Sequence, residues 1–161
     1  MSVTTIDYGL PCKTHNKYDV FFHSNIIHTM VTNTPSMVDK WLSSINPYRN
    51  NNNGLLVGLD VECLLTNRHG VPNPAAVLQL CIGGECLVFQ ILHASYVPES
   101  LFAFLGNKNH KFVGVGIKDD VDKLDRDFSL RVVNFVDLCI LAVEKLGEKK
   151  MNFAGLKTVS N

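Results

Sequence analysis

The first quarter of the chain contains two short runs of β-branched and aromatic residues, Tyr18–His23 and Ile26–Thr32, separated by the polar pair Ser24-Asn25. Runs of this composition are typical of strands, and a two-residue polar break favours a hairpin turn. The pattern predicts two antiparallel strands. Residues 1–16 show no periodicity, so we expect a loose lead-in there, with order beginning near Lys17.

A helical pattern follows the hairpin. Thr34-Pro35 joins a helix-capping residue to a proline that suits the first helical position. Apolar side chains then recur at helical spacing, namely Val38, Trp41, Leu42 and Ile45. These features predict an amphipathic helix that ends near Asn46-Pro47.

A nearly continuous apolar run, Leu55–Cys63, predicts a strand that is covered on both faces. Two more strands are expected at Val77–Ile82 and Leu87–Leu92, joined by the turn-forming sequence Gly83-Gly84-Glu85-Cys86. The three consecutive strands should form an antiparallel meander.

Beyond the meander, helical and strand patterns alternate. The expected helices lie at 99–105, 119–128, 138–146 and 152–159, and the expected strands lie at 111–115 and 132–136. A meander followed by alternating helices and strands predicts an α/β fold with a mixed sheet, antiparallel first and parallel later, flanked by helices.

Two acidic residues, Asp60 and Glu62, interrupt the apolar run at 55–63. Two positions apart on a strand, their side chains leave the same face, about 6.5 Å apart along the backbone. Neighbouring carboxylates in a partly buried setting repel each other and need a proton, a cationic partner or a metal ion. Mg²⁺ and Mn²⁺ prefer carboxylate oxygen, whereas at an exposed strand end the same pair would simply be solvated. The spacing alone leaves both interpretations open.

A second acidic cluster follows the expected strand at 111–115. Asp120 lies four residues before the apolar Leu124, which places it on the inward side of the helix's first turn, where it could approach Asp60. Asp119 is the better candidate for a helix cap. Other acids of this segment are expected on a solvated face, namely Asp122, Asp125 and Asp127.

The chain is electrically balanced, with 15 basic and 15 acidic residues among 161. A protein that held nucleic acid by charge alone would have a basic excess, so any nucleic-acid contact must be local or mediated by metal ions. Lys118 and Lys123 are the candidates for contact with phosphates, although the acids around them also fit a solvated helix face.

Five cysteines form no C-x-x-C pair, and their odd number leaves at least one thiol outside intramolecular disulfides. Cys63, Cys81 and Cys139 lie in apolar runs, where we expect free thiols packed as small apolar side chains. This usage fits a reducing compartment. No window approaches the roughly 20 apolar residues of a membrane span, so we expect an intracellular protein of the nucleus, the cytoplasm or both.

Three groups of residues, taken together, resemble a known family. They are Gly58-Leu59-Asp60-Val61-Glu62, then Ala76-Val77-Leu78-Gln79-Leu80-Cys81, then Val113-Gly114-Val115-Gly116-Ile117 with Asp120 and Lys123-Leu124. Their order and content are similar to those of DEDD-superfamily 3′–5′ exonuclease domains. Within that superfamily they resemble the Werner-syndrome type, including its short plant relatives, over nearly all of residues 17–157.

The resemblance implies a ribonuclease H-like fold over 17–161 and hydrolytic removal of nucleotides from DNA or RNA 3′ ends, assisted by two divalent ions, Mg²⁺ or Mn²⁺. In that arrangement Asp60 would bridge both ions. Glu62 would hold one ion and help to orient the attacking water, and Asp120 would hold the second.

The resemblance also implies a last motif, in which a tyrosine or histidine lies four residues before a metal-binding aspartate. Only His15 and Asp19 have this spacing, and they precede the first motif. An ion that lost this carboxylate would be held more weakly, which would lower activity. Two functions therefore remain open: a metal-dependent 3′–5′ exonuclease, and a non-catalytic nucleic-acid-binding or assembly module of the same fold. An assembly module would associate with a second copy or a homologous subunit.

Overall fold

The computed structural model describes residues 3–45, 54–66 and 70–146. The strands found there are β1 (Val3–Asp7), β2 (His15–Phe22), β3 (Asn25–Thr32), β4 (Leu56–Cys63), β5 (Ala75–Ile82), β6 (Glu85–Phe89), β7 (Lys111–Gly114) and β8 (Phe135–Asp137). The α-helices are α1 (Pro35–Ser44), α2 (Glu99–Leu105), α3 (Ile117–Phe128) and α4 (Leu138–Leu146), and a 3₁₀ turn lies at Ile91–His93.

The strands form one mixed sheet in the order β1-β2-β3-β6-β5-β4-β7-β8. The pairs β1–β2, β2–β3, β6–β5 and β5–β4 are antiparallel, whereas β3–β6, β4–β7 and β7–β8 are parallel. The predicted α/β class, the meander and the parallel later strands are confirmed. β4, which carries Asp60 and Glu62, therefore lies inside the sheet with a strand on each side.

Apolar side chains fix the register of the central strands. Leu59, Leu80 and Leu87 are direct neighbours on β4, β5 and β6, and all three are buried. α1 packs against β3 and β6, while α3 packs against β4, β5 and β8. Each fully buried leucine contributes about 2 kcal/mol. A slip of one residue would expose this row, so the acids between the buried positions of β4 must point to the other face.

The expected lead-in is wrong for residues 3–7, which form β1 and pair antiparallel with β2. Threonine and β-branched residues favour a strand here. The strand has no buried face, because all five of its residues are exposed, and hydrophobic alternation could not reveal it. β2 likewise begins at His15 rather than near Lys17, since pairing with β1 and β3 extends it.

Most other predicted elements are present with shifted ends. β6 ends at Phe89, three residues early, because the 3₁₀ turn Ile91–His93 follows it, and β8 begins three residues late at Phe135. The helix predicted at 152–159 lies outside the described residues.

The expectation of a free thiol at Cys81 is wrong, because Cys81 forms a disulfide with Cys86 across the β5–β6 hairpin. The two residues are directly opposite each other, with Cα atoms 4.3 Å apart. This short Cα separation is typical of a non-hydrogen-bonded antiparallel pair, in which the two side chains lie close together. A hairpin with a two-residue turn brings positions five apart into contact, a spacing that C-x-x-C patterns do not include. Cys63 and Cys139 are outside any disulfide, as expected.

Candidate active site

Asp60 and Glu62 project from the exposed face of β4. Leu59 and Val61 are buried while the two acids are exposed, so exposure alternates along the strand as the spacing predicts. Gln79 stands opposite Asp60 on β5, and its amide donates a hydrogen bond of 3.2 Å to Asp60 Oδ2. Glu62 makes no hydrogen bond or ion pair with any residue that the structure describes.

The neighbouring strand β7 separates from β4 just before these acids. β7 pairs only with Leu56–Gly58 along the described part of β4, and it ends at Gly114. A Cβ atom on Gly114 would lie 2.5 Å from the carbonyl oxygen of Leu59, so only glycine permits this approach. Gly116 then adopts a left-handed conformation, with φ +69°, and turns the chain into α3. The first turn of α3 consequently lies at the edge of β4 that β7 leaves uncovered.

Asp120 occupies that edge and is only 6% exposed. Its carboxylate accepts the backbone N–H of Val61 and a hydrogen bond of 3.2 Å from Lys123 Nζ. Burial raises the pKa of Asp120, and the charge of Asp60 raises it further, while the bonds from Lys123 and Val61 oppose the shift. The structure thus brings Asp60 and Asp120 within electrostatic range, as the inward position of Asp120 predicts.

The prediction that Asp119 caps α3 is wrong. The helix begins at Ile117, two residues earlier than expected, and its N-cap is Gly116, with no side-chain cap hydrogen bond. The glycine turn sets this earlier start, which moves Asp119 into the first helical turn. Its negative charge there still interacts favourably with the helix dipole.

The two lysines predicted to contact phosphates both pair with acids of their own helix. Lys118 pairs with the exposed Asp122, one turn away, and Lys123 pairs with the buried Asp120. The pairing with Asp122 matches the expected solvated face of α3. Contact of either lysine with nucleic acid stays a prediction.

Asp127 does not belong to that solvated face, contrary to expectation. It is 17% exposed, and its Oδ2 accepts the backbone N–H of Ala75 at 2.8 Å. The Arg126 guanidinium holds the pKa of Asp127 below its usual range, with help from that N–H. Asp127 therefore ties the end of α3 to the start of β5, a contact between positions too distant in sequence for spacing to reveal.

The donor chemistry of the site suits a hard divalent cation, because Asp60 and Asp120 both offer carboxylate oxygen and the burial of Asp120 makes its negative charge costly. In this structure Lys123 supplies the neutralising charge. Within 3–45, 54–66 and 70–146, no three histidine, cysteine, aspartate or glutamate side chains are grouped to hold a metal ion. Asp60 and Asp120 are the two carboxylates of the site that interact electrostatically, and Glu62 is an exposed carboxylate on the same face of β4 as Asp60.

None of the helices in the described ranges is long and apolar enough to cross a membrane.

Residues 33–159 match a family model described as 3′–5′ exonuclease. The mouse bifunctional 3′–5′ exonuclease/ATP-dependent helicase WRN is 40% identical over 94 residues, which cover 58% of this chain and 7% of that protein. A 3′–5′ exonuclease of Arabidopsis thaliana is 30% identical over 152 residues, covering 90% of this chain and 51% of that protein. The chain thus spans about half of one of these relatives and a small part of the other.

Solved structures of the EXD2 exonuclease domain share the fold. The domain in crystals soaked in Mn and GMP aligns with a TM-score of 0.64 at 21% identity, covering 81% of this chain and 66% of that one. Crystals soaked in Mg and GMP give a TM-score of 0.63 at 22% identity, covering 80% and 65%. The fold is that of ribonuclease H-like exonuclease domains, as the resemblance implied.

The matched residues 33–159 include β4, β7 and the whole of α3, the elements that bring a strand aspartate and a helix aspartate together. The chain therefore belongs to the 3′–5′ exonuclease family.

Proposed function

We propose that this chain carries the hydrolytic site of a metal-dependent exonuclease that removes nucleotides from the 3′ ends of DNA or RNA. The observation that carries the proposal is the buried carboxylate of Asp120, held beside the exposed Asp60 where β4 and β7 part. Burial of a charge that interacts with a like charge is typical of sites that bind a cation or transfer protons.

Two divalent cations, Mg²⁺ or Mn²⁺, are the proposed cofactors. Asp60 and Asp120 would hold them, with Glu62 as the third carboxylate. Bound divalent ions stabilise the negative charge that develops on a phosphodiester during hydrolysis. Support comes from the EXD2 exonuclease domain, whose crystals were soaked in Mg or Mn with GMP or dGMP.

Other residues of the site position the reacting groups. The amide of Gln79 restrains the Asp60 side chain through its hydrogen bond to Oδ2. Glu62 is exposed and unpaired among the described residues, so its carboxylate is accessible to orient a water molecule. Lys123 can contact a phosphate of the substrate once a cation neutralises Asp120 in its place. Lys118, exposed on the same helix, is a second candidate contact.

Digestion of a 3′-recessed DNA duplex and of a single-stranded RNA, with Mg²⁺ or Mn²⁺ and with chelator, tests the proposal. We expect shortening from the 3′ end only with a divalent cation. Asp60→Asn and Glu62→Gln should each lower the rate about 10²- to 10⁴-fold, the loss typical of single catalytic groups.

Asp125→Asn is the matched control, because Asp125 is an exposed acid of α3 with only a long ion pair, 3.6 Å, to Arg131. Its rate should equal that of the wild type. The proposal is overturned if the wild type shortens neither substrate with either ion, or if Asp60→Asn and Asp125→Asn digest at the same rate.

A non-catalytic module that binds nucleic acid or assembles with another subunit is the second candidate function. The ion pair between Lys123 and Asp120 favours it, because the chain itself already neutralises the buried carboxylate. This function predicts that nucleic acid binds in chelator and is not shortened when Mg²⁺ is added. Light scattering at several protein concentrations would detect assembly with a second copy.

A further inference from the structure

An open cleft lies between α1 and the first three strands, away from the acids of β4. Its volume is about 830 Å³, which is within the range of small-molecule binding sites. Met30, Met37 and Trp41 give it an apolar, largely buried floor. Charged side chains of β2 and α1 line its more exposed parts.

Strand pairing places this cleft on the face of the sheet opposite to Asp60 and Glu62. Successive partners across five strands are Lys17, Met30, Leu87, Leu80 and Leu59. Paired residues share a face, whereas neighbours along one strand point to opposite faces. Because Leu59 immediately precedes Asp60, the sheet separates the cleft from the carboxylates.

Asp19, one of the acids that line the cleft, has hydrogen-bond partners in neighbouring side chains. Asp19 accepts a hydrogen bond of 2.7 Å from the Tyr8 hydroxyl and pairs with His28 Nδ1 at 2.7 Å. These bonds, first that of Tyr8, hold the pKa of Asp19 below its usual range, and Asp19 raises the pKa of His28. With His28 protonated, the charges of Asp19 and His28 cancel, and Glu85 is the other carboxylate that lines the cleft.

Two lysines bring positive charge to the cleft without forming an ion pair with any of the described residues. Lys17 on β2 and Lys40 on α1 both line the cleft, and neither side chain has an ion pair or a hydrogen bond there. Their charges lower the pKa of His15, after the larger effect of its burial. Two ammonium groups that reach one space from a strand and a helix suit a phosphate.

The other end of the cleft has different chemistry. One row of paired residues crosses β2, β3 and β6 there, namely Asp19, His28 and Glu85. His15 lies on β2 four residues before Asp19, which is about 13 Å along the strand. The Glu85 carboxylate can accept hydrogen bonds from amino groups. The Tyr8 ring, in a residue 55% exposed, offers an aromatic surface beside the polarisable thioethers of the floor.

We propose that this cleft is a second nucleotide site, in which Lys17 and Lys40 bind the phosphate and the base lies against Tyr8 and the two methionines, with its amino groups toward Glu85. The nucleotide is either free or part of a strand, because both sources present the same phosphate and base. The site does not depend on the proposed hydrolysis, since its residues lie on the opposite face of the sheet.

The protein contains its own reporter for this site. Trp41 is the single tryptophan of the sequence, and it lines the cleft. It is 2% exposed, and its indole N–H has no hydrogen-bond partner among the described residues. A ligand seated over this floor should change the fluorescence of that one indole.

The experiment titrates the full chain carrying Asp60→Asn with dAMP, inorganic phosphate and a single-stranded dA oligomer, all in chelator. The substitution and the chelator suppress binding of a nucleotide at the carboxylate site. We expect a saturable change in Trp41 fluorescence with dAMP. Lys17→Ala and Lys40→Ala should each weaken binding about tenfold, the effect of one charge-assisted hydrogen bond.

Lys108→Ala is the matched control, since Lys108 is an exposed lysine that does not line the cleft, and it should bind dAMP like the parent chain. Phosphate alone should bind at least about tenfold more weakly than dAMP, because it lacks the base. The dA oligomer distinguishes a nucleotide within a strand from a free one, and saturable binding of either supports the site.

Three results would overturn the proposal. The first is the absence of binding of both nucleotide forms by fluorescence and by equilibrium dialysis, which does not depend on the indole signal. The second is equal affinity for phosphate and dAMP, which would reduce the site to a simple anion site. The third is equal weakening by Lys108→Ala and by the two cleft variants.

Discussion

Asp19 lies on strand β2 and Asp120 lies on helix α3, and the surroundings of the two carboxylates shift their pKa values in opposite directions. Asp19, on the outer strands, receives a tyrosine hydroxyl and a histidine, and its pKa is lowered. Asp120, at the junction of β4, β7 and α3, is buried beside Asp60, and its pKa is raised in spite of the bond from Lys123. The fold therefore stabilises the charge of one aspartate and makes the charge of the other costly.

Both carboxylates accept two hydrogen bonds, so the difference comes from the burial of Asp120 and from the like charge of Asp60 beside it. The neighbours of Asp19 meet its need for donors, which is typical of a structural role. Asp120 is held where its charge is unfavourable, and natural proteins retain such positions mainly at functional sites. The direction of a pKa shift, read with its cause, thus distinguishes two acids that look alike in sequence.

Removing the close approach that positions Asp120 should give the largest effect on stability. In Gly114→Ala, a Cβ would lie 2.5 Å from the carbonyl oxygen of Leu59, so β7 must separate from β4. We expect the free energy of unfolding to fall by about 2 to 3 kcal/mol. Urea denaturation followed by circular dichroism measures the loss.

Gly58→Ala is the matched control on β4, because its Cβ would meet Cys81 Cβ at an ordinary 3.6 Å. We expect a change within about 0.5 kcal/mol. Equal losses in the two variants would show that the contact between Gly114 and Leu59 does not hold the junction together.

Replacing the costly charge itself should stabilise the protein. The folded pKa of Asp120 is raised, so the stability that its neutral form provides is lost as the pH rises through that value. At pH 8 in chelator, the free energy of unfolding of Asp120→Asn should therefore be about 1 kcal/mol higher than that of the wild type. At a pH below the ordinary carboxyl value of 3.8, the difference should disappear.

Two comparisons make this measurement decisive. Asp125→Asn, an exposed change on the same helix, should leave stability at pH 8 nearly unchanged. Excess Mg²⁺ should raise the melting temperature of the wild type more than that of Asp120→Asn. A less stable Asp120→Asn at pH 8 would contradict the contrast between the two aspartates.

The smallest effect is expected from Asp19→Asn, which should destabilise the protein in a pH-dependent way. Stability from the raised pKa of His28 is present below the ordinary value of 6.5 and is lost as the pH rises through the folded value. Stability from the lowered pKa of Asp19 is present above 3.8 and is lost as the pH falls through the folded value. The variant should therefore differ most from the wild type between pH 3.8 and 6.5.

Thermal melts at pH 5.5 and pH 8.5 measure this difference. The part of the stability difference that disappears at pH 8.5 comes from the charge of His28. In chains that carry His28→Gln this part should be absent, because glutamine does not titrate. A constant difference between wild type and Asp19→Asn at both values would show that the histidine contributes nothing through its charge.

Local spacing was sufficient to predict the strand and helix positions of the candidate site. The two-residue period of a strand predicts that Asp60 and Glu62 share a face, and the helical period predicts that Asp120 turns inward with Leu124. Both patterns depend only on neighbours within one turn or one strand. The mixed sheet was likewise predictable from the order of apolar runs.

Contacts between distant segments could not be read from such patterns. The disulfide of Cys81 and Cys86 depends on the register of a hairpin, and the bond from Ala75 to Asp127 joins a strand to the end of a later helix. β1 has no buried face to create a periodic signal. The cleft beside Trp41 arises only when α1 packs next to the outer strands.

The bond between Lys123 and Asp120 also affects how the proposed site would respond to ion concentration. A lysine three residues away on the same helix is a tethered counter-ion, always present at the same local concentration. Any free cation that reaches Asp120 has to displace this ammonium, whose own protonation the carboxylate favours. Half-occupancy of the site would therefore require a higher concentration of cation than the same carboxylates would need without that internal competitor.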